Sequence, residues 1–472
     1  MSLVQAINAE VTPLNGAGDF SSKQGQFNIV FEISGGANQM LDLNSMRLLT
    51  DLKFFNSDNR SVNNFNYLSS QISGDLVHGG VAVNPVALAG NSTFTNGDQP
   101  FIGIDPRTGL SNCIQTIQFQ DAESNVLEAV YSYPHLMNKI SPMSLSQDDQ
   151  LTWTSHIYGL ANGGKSLQNQ YDMNSNYQMS LKLYTGLTQS KPMPFVAVRG
   201  KLKIIITLNT PASALFGGKN NCGAGGTVGP QATNAGTNSY FKMNKVKLVY
   251  RTLVLDENAP VASSYNYKHF SSLQSTIKAS NNQNIYNPNT TNAISVLTSF
   301  IRSNKLNSFS NNSIGSTKLN GTGNASVDIK QTNFLKNNVR FPLQFPIDER
   351  VYNENNDGSK NYDVQRSYYF MSTLTPLARL NNTLICPSTE SNGSKQCGEY
   401  LEAIEPDTDP IYGVGIRYAN TSLRDGTNFT KGQSFLQRIN SGLTGDVANE
   451  MFSNVLSTRS IMITASGPIV MN

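Results

Sequence analysis

Charge is scarce in this 472-residue chain. Only 14% of the residues are Asp, Glu, Lys or Arg, against ~25% in an ordinary globular protein. Scarce charge does not mean disorder, which combines high net charge with low hydrophobicity. Here the formal net charge is +3, and 22 Phe and 19 Tyr are available for burial. The 35 basic residues are balanced by 32 acidic ones. That leaves no electrostatic footprint for nucleic acid, so sequence-specific nucleic-acid binding is not expected. No apolar run approaches ~18 residues, so no transmembrane segment is expected. The opening MSLVQAINAEVTPLNGAGDF has neither the basic start nor the apolar core of a secretory signal.

Histidine and cysteine are equally sparse. The four histidines, His78, His135, His156 and His269, never fall at i, i+4, and no HExxH occurs. Each reads as a solvated or core histidine rather than a metal ligand. The four cysteines, Cys113, Cys222, Cys386 and Cys397, form no CxxC. Without a secretory signal they are expected as free thiols. Cys386 and Cys397 bracket the loop CPSTESNGSKQC and are the one plausible local bridge.

Several other catalytic and binding signatures fail on inspection. No GxSxG elbow is present. In GGKNNCGAGGTVG, Gly223 and Gly225 begin a GxG, but Val228 stands where the third glycine belongs. No GK[ST] follows, so this is a loop rather than a phosphate cradle. NENNDG starts like a calcium loop at Asn353. Its twelfth position is Val364 instead of a bidentate Glu, and a turn on Asp357-Gly358 fits better. Glu405, Asp407 and Asp409 in EPDTDP suit a solvated loop better than a cation site. The sequons at Asn320, Asn324, Asn392, Asn420 and Asn428 arise by chance in a chain so rich in Asn, Ser and Thr. No paired carboxylates at convincing spacing support a glycoside hydrolase. The expectation is therefore no catalytic residue, no metal and no cofactor.

What the chain does have is strands. Phe27, Ile29, Phe31 and Ile33 alternate in QFNIVFEIS, and Leu48, Thr50, Leu52 and Phe54 alternate in MLDLNSMRLLTDLKFF. This period of two marks half-buried strands. The same alternation picks out Ile117 and Phe119; Met179, Leu181 and Leu183; Leu202, Ile204, Ile206 and Leu208; and Val246, Leu248, Tyr250 and Thr252. YSYPHLMNKIS predicts a short helical or irregular connection. A full sandwich's worth of strands is complete by residue 255, and the boundary is placed in DENAPVASSYNYKHF.

The second half starts again with FSSLQSTIK as a weak strand. Ile294, Leu297 and Ile301 sit at helical spacing and predict a short helix. VRFPLQFPI reads as a strand, with Pro342 arguing for an edge or a bulge. RSYYFMSTL, IYGVGIRYAN and the closing STRSIMITASGPIVMN complete the set. The stretch between Asn56 and about Pro100 reads as elaborated loops. No residue-level repeat relates the halves. The expected fold is all-β: two tandem eight-stranded antiparallel jelly-roll sandwiches with long loops and short helices. The expected division is an N-terminal arm at 1–20, either frayed or bound to a neighbour, then a first jelly roll at 21–256 and a second at 257–472.

Several segments, in order, carry a resemblance. GLSNCIQTIQFQDAESNVLEAVYSYPHLMNKIS and PFVAVRGKLKIIITLN resemble the first barrel of double jelly-roll major capsid proteins from small eukaryotic DNA viruses of the virophage and polinton-like group. NNVRFPLQFPIDERVYNE, IYGVGIRYANTSLRDGTNFTKG and SIMITASGPIVMN resemble stretches of the second barrel. The resemblance implies a structural subunit forming homotrimeric, pseudo-hexagonal capsomers of an icosahedral double-stranded DNA virus shell. Its partners would be its own copies, neighbouring capsomers, and penton and minor capsid proteins. Its location would be the virion, after synthesis in the host cytoplasm or a virus factory. Two other readings stand beside it: a minor virion protein of a vertex or fibre, and a glycan-binding β-sandwich protein.

Overall fold

A computed structural model describes residues 3–16, 18–23, 28–55, 72–73, 84–85, 98–103, 108–144, 177–221, 240–257, 263–278, 283–286, 290–303, 306, 329–348, 369, 373, 411–415, 427–429, 435–441, 448–464 and 467–471. The first half contributes β1 (Leu3–Val11), β2 (Asn28–Ser34), β3 (Gln39–Phe55), β4 (Ile114–Gln120), β5 (Val126–Tyr131), helix α1 (Tyr133–Ser144), β6 (Tyr177–Lys182), β7 (Lys201–Leu208) and β8 (Tyr240–Leu255). The second contributes β9 (Ser264–Lys278), β10 (Gln283–Tyr286), β11 (Thr290–Arg302), β12 (Ile329–Lys336), β13 (Ile411–Gly415), β14 (Phe435–Ser441), β15 (Ala448–Thr464) and β16 (Gly467–Met471).

The pairing order defines the fold. In the first half one sheet runs β1-β8-β3-β6 and the facing strands run β2-β7-β4-β5. Counting from β9, the second half gives the same two orders. One sheet runs β9-β15-β11-β13, and the other runs β10-β14-β12 and closes on the short strand Val339–Arg340. First pairs with eighth, eighth with third, third with sixth; second pairs with seventh, seventh with fourth, fourth with fifth. This is the jelly-roll arrangement of two packed antiparallel sheets, and it occurs twice. The fold is a double jelly roll.

Alternation explains the first core. β7 is buried at every second residue, placing Leu202, Ile204, Ile206 and Leu208 inward. Ile29, Phe31 and Ile33 of β2 and Ile117 and Phe119 of β4 join them. They meet Leu41, Leu43, Leu48 and Leu52 of β3, Met179 and Leu181 of β6, and Val246 and Leu248 of β8. The second core is smaller, built from Val296, Phe300, Phe334, Phe435, Ile439, Met451 and Val455 among others.

The structure corrects four expectations and completes a fifth. Residues 3–11 are not a separate arm: β1 pairs antiparallel with β8 from Leu3↔Leu255 to Val11↔Leu248. Polar composition hid it, because an edge strand with both faces largely exposed needs no clean alternation. The helix expected at 294–301 is strand β11. Every residue from Ala293 to Arg302 is buried, so both faces carry apolar residues and their spacing imitates a helix. VRFPLQFPI is extended only at Val339–Arg340 and again at Ile347–Asp348. Pro342 and Pro346 lack the N–H that a continuous ladder needs. The weak strand at FSSLQSTIK is the second part of the fifteen-residue β9, which already starts at Ser264.

The expected connection at YSYPHLMNKIS is helix α1. Of RSYYFMSTL only Tyr369 and Thr373 are described, and both are helical rather than extended. Of the elaborated loops only the short strands Ile72–Ser73 and Asn84–Pro85 and the start of the strand Asp98–Gly103 are described; the rest of those loops, the sequence NENNDG, the sequence EPDTDP and four of the sequons lie outside the described residues.

Candidate functional site: the seam between the sandwiches

Among the described residues the most unusual chemistry lies where the two sandwiches meet. Strands β5 and β9 touch in a single parallel pair, Ala129↔Ser271. That pair makes one ladder run from β2 through the first sandwich into the second. Helix α1 fills the angle beside this junction, between β4 and the short 3-10 helix Gly109–Cys113 on one side and β11 and β15 on the other. Residues Tyr133 to Ile140 are all buried, as in a helix enclosed by the core. Leu136, Met137 and Ile140 are 0–2% exposed, and burying three such side chains contributes about 6 kcal/mol. Tyr265, Tyr267, Phe270, Ile294, Leu297, Leu456 and Ile461 from the second half belong to the same apolar cluster as the first core.

Within that apolar seam sits a carboxylate, Glu128 of β5, with no exposed surface. Oε1 accepts from the backbone N–H of Gly186 at 3.0 Å and of Phe270 at 2.7 Å, and Oε2 accepts from Leu187 at 2.8 Å. Glu128 thus ties together β5, the 185–190 turn and β9 of the second sandwich. Burial pushes its pKa up to about 7, against the pull of the backbone donors and Thr185. Gly186 is required beside it. A Cβ there would lie 2.7 Å from the His269 nitrogen and 2.8 Å from Oε1 of Glu128.

More bonds cross the seam. The Tyr267 hydroxyl donates to Leu127 O at 3.2 Å, the Tyr265 hydroxyl to Lys191 O at 2.7 Å, and Lys268 N–H to Ser190 Oγ at 2.8 Å. Lys139 of α1, also fully buried, donates from Nζ to Phe452 O of β15 at 2.9 Å. Its pKa is lowered well below the usual lysine value by burial. The His135 ring stacks on Phe452 with centroids 3.6 Å apart. Burial, and then the nearby Lys139, lower His135 to about 3. Burial, and then Arg459, lower His269 likewise to about 3. Both imidazoles are therefore neutral at physiological pH.

This arrangement holds two bodies together. The ionisable groups are enclosed by backbone donors and apolar rings, and among the described residues no group of three or more His, Cys, Asp or Glu could hold a metal. The two described histidines, His135 and His269, are core residues, which is one of the two options their isolation allowed. Cys113 is free and buried, and burial pushes its thiol pKa upward. His78, His156, Cys222, Cys386, Cys397 and the glycine-rich loop from Cys222 onward lie outside the described residues. Sequence reasoning missed Glu128, Lys139 and Gly186, because their partners lie far off in the chain. One local signal existed: the ionisable residues Glu128, His135 and Lys139 fall within a stretch rich in apolar residues, VLEAVYSYPHLMNKIS.

No family model matches the chain, and no curated protein matches it. Solved structures do. The chain superposes on one from the PBCV-1 virus capsid with a TM-score of 0.51 and 9% identity, covering 100% of this chain and 98% of that one. It superposes on one from the Sputnik virophage with a TM-score of 0.51 and 11% identity, covering 100% of this chain and 89% of that one. At these identities the likeness establishes a shared fold alone, and it runs along the whole of this chain.

Proposed function

We propose that the chain is a major capsid protein, a structural subunit whose homotrimers form pseudo-hexagonal capsomers tiling an icosahedral double-stranded DNA virus shell. The observation that carries this reading is the repetition of one jelly-roll strand order within a single chain, locked by a buried seam. Three such chains around an axis offer six similar sandwiches, the geometry a hexagonal tile needs. A rigid seam matters for a tile, because a hinge there would let the six lobes drift out of register. The fold is shared with a chain of a virus capsid and a chain of a virophage, which supports the same reading. The low charge of the chain suits large repeated contacts between identical subunits.

In this reading the chain divides after residue 256, between the end of β8 and the start of β9. Its partners are its own copies, neighbouring capsomers, and penton and minor capsid proteins. It resides in the virion after synthesis in the host cytoplasm or a virus factory. It carries no catalytic residue and reads no nucleic-acid sequence. Mass measurement and electron microscopy of the purified chain test this. The expected result is a trimer with six lobes that assembles further at high concentration. A chain that remains monomeric at every concentration overturns the reading.

A further inference from the structure

Strands β5 and β9 touch at the pair Ala129↔Ser271 and pair no further. β5 ends at Tyr131, and Ser132, with a φ of 53°, turns the chain into α1. β9 runs on beside β15, with Ser272 opposite Asn454 and Gln274 opposite Phe452. A cavity of about 230 Å³ lies at this divergence, lined in part by Tyr131, Ser132, Ser272, Gln274, Phe452 and Asn454. Directly opposed residues, and residues two apart on one strand, share a face of a sheet. Ser272, Gln274, Phe452 and Asn454 therefore form one wall. Tyr131 is 56% exposed at the mouth, whereas Phe452 and Asn454 are 4% and 3% exposed.

The polar groups of this wall are already oriented. Ser272 Oγ accepts from the Tyr131 N–H at 3.3 Å and from Asn454 Nδ2 at 3.0 Å. A hydroxyl has two lone pairs and one hydrogen. Both lone pairs are taken, so the hydrogen is left to donate, and no acceptor among the described residues is bonded to it. Gln274 is arranged the other way round. Its Nε2 donates to Glu450 Oε2 at 3.4 Å, which leaves its carbonyl oxygen to accept. Glu450 is held by Thr276 Oγ1 at 2.9 Å and Ser303 Oγ at 3.1 Å and does not line the cavity.

These features select a ligand class. Among the described residues no Asp, Glu, Lys, Arg or His lines the cavity, so it suits an uncharged ligand. A hydrocarbon chain would take Ser272 and Gln274 out of water with nothing to bond. The volume is below the ~300–1,000 Å³ of pockets for drug-sized ligands, so it holds one ring rather than two. A neutral ring that accepts and donates at its edge, and offers C–H groups to an aromatic side chain, is a hexopyranose. We propose that this cavity binds one neutral monosaccharide unit, with Ser272 donating to one sugar oxygen, Gln274 accepting from a hydroxyl and Tyr131 packing on the C–H face. The inference goes beyond the capsid reading and does not depend on it, since every group named belongs to one chain. Repetition of the chain in a larger assembly would convert a weak site into an avid one.

Saturation-transfer NMR on the purified full chain tests this with methyl glucoside, methyl galactoside, methyl mannoside and N-acetylglucosamine, and with 1,6-hexanediol as an acyclic control. At least one sugar is expected to bind with a Kd on the order of 1 mM, as one ring making a few bonds allows. Q274A removes the acceptor and Y131A the aromatic wall. Both side chains are exposed, so melting curves should match wild type, and each variant should weaken binding about five-fold or more. S272A removes the donor and should do the same; should it fail to fold, Q274A and Y131A decide alone. No transfer to any sugar at about twenty times that Kd overturns the proposal. So does sugar binding within two-fold of wild type in folded Q274A and Y131A, and so does equal transfer to hexanediol. A six-lobed trimer that binds no sugar overturns this site and leaves the capsid reading standing.

Discussion

Replacing Glu128 with Gln asks how much the seam depends on its buried carboxylate. The substitution keeps the shape of the side chain and removes the charge. The amide oxygen can still accept from Gly186 and Phe270, as Oε1 does at 3.0 and 2.7 Å. The amide nitrogen then faces the Leu187 N–H, which Oε2 accepted at 2.8 Å. Two donors meet, one charge-assisted bond is lost, and one buried N–H is orphaned. A bond to a charged group contributes ~1.5–3 kcal/mol and an orphaned buried donor costs ~1–3 kcal/mol. These overlap, and the variant escapes the cost of burying a charge, so the expected loss is about 2–4 kcal/mol at pH 8, where Glu128 is ionised.

At pH 5.5 the wild-type carboxyl, with its pKa raised to about 7, carries a proton; linkage at this group makes the folded wild type about 2 kcal/mol more stable there than at pH 8, a gain the Gln variant lacks, so the difference should grow. Urea denaturation of the purified chain at both pH values, followed by fluorescence, measures this. A variant within about 0.5 kcal/mol of wild type at pH 8 would refute the claim that the three backbone donors anchor the two sandwiches through this side chain.

Three further outcomes are expected. G186A should lose folded, soluble protein, because its Cβ would be forced to within 2.7–2.8 Å of His269 backbone and the Glu128 carboxylate; overpacking costs ~1–3 kcal/mol or more, read as a lowered denaturation midpoint. Acid should weaken the fold between pH 6.5 and 4.5. His135 and His269, lowered to about 3 from 6.5, contribute stability that is present above pH 6.5 and lost as pH falls. Glu128, raised to about 7 from 4.5, works in the opposite direction, its stability being present below pH 4.5 and lost as pH rises. Two protons against one leave a net loss of ~1.4 kcal/mol per pH unit on acidification. H135F, which keeps the stacking on Phe452, should abolish most of that net slope in pH-dependent urea melts; an unchanged slope would show that His135 is not the acid-sensitive group. Cys113, buried with its thiol pKa raised, should resist alkylation at pH 8 in the native chain and react in denaturant, as mass spectrometry of the labelled peptide would show.

The sequence by itself determined the strands with one wet face. In β2, β3 and β7 the solvent enforces alternation, so Ile29, Phe31, Leu202 and Ile204 were legible as core from spacing alone. It also determined the connection at Tyr133–Ser144 and the two-part layout of the chain. Tertiary structure decided the rest. β11 is buried on both faces, which erases its period of two, and β1 is exposed on both, which does the same from the other side. The seam was beyond reach for a different reason. Glu128 meets Phe270 across 142 residues and Lys139 meets Phe452 across 313. Local patterning reports only whether a side chain faces water or core; which backbone donor waits for a buried carboxylate is set by how two distant sheets come together.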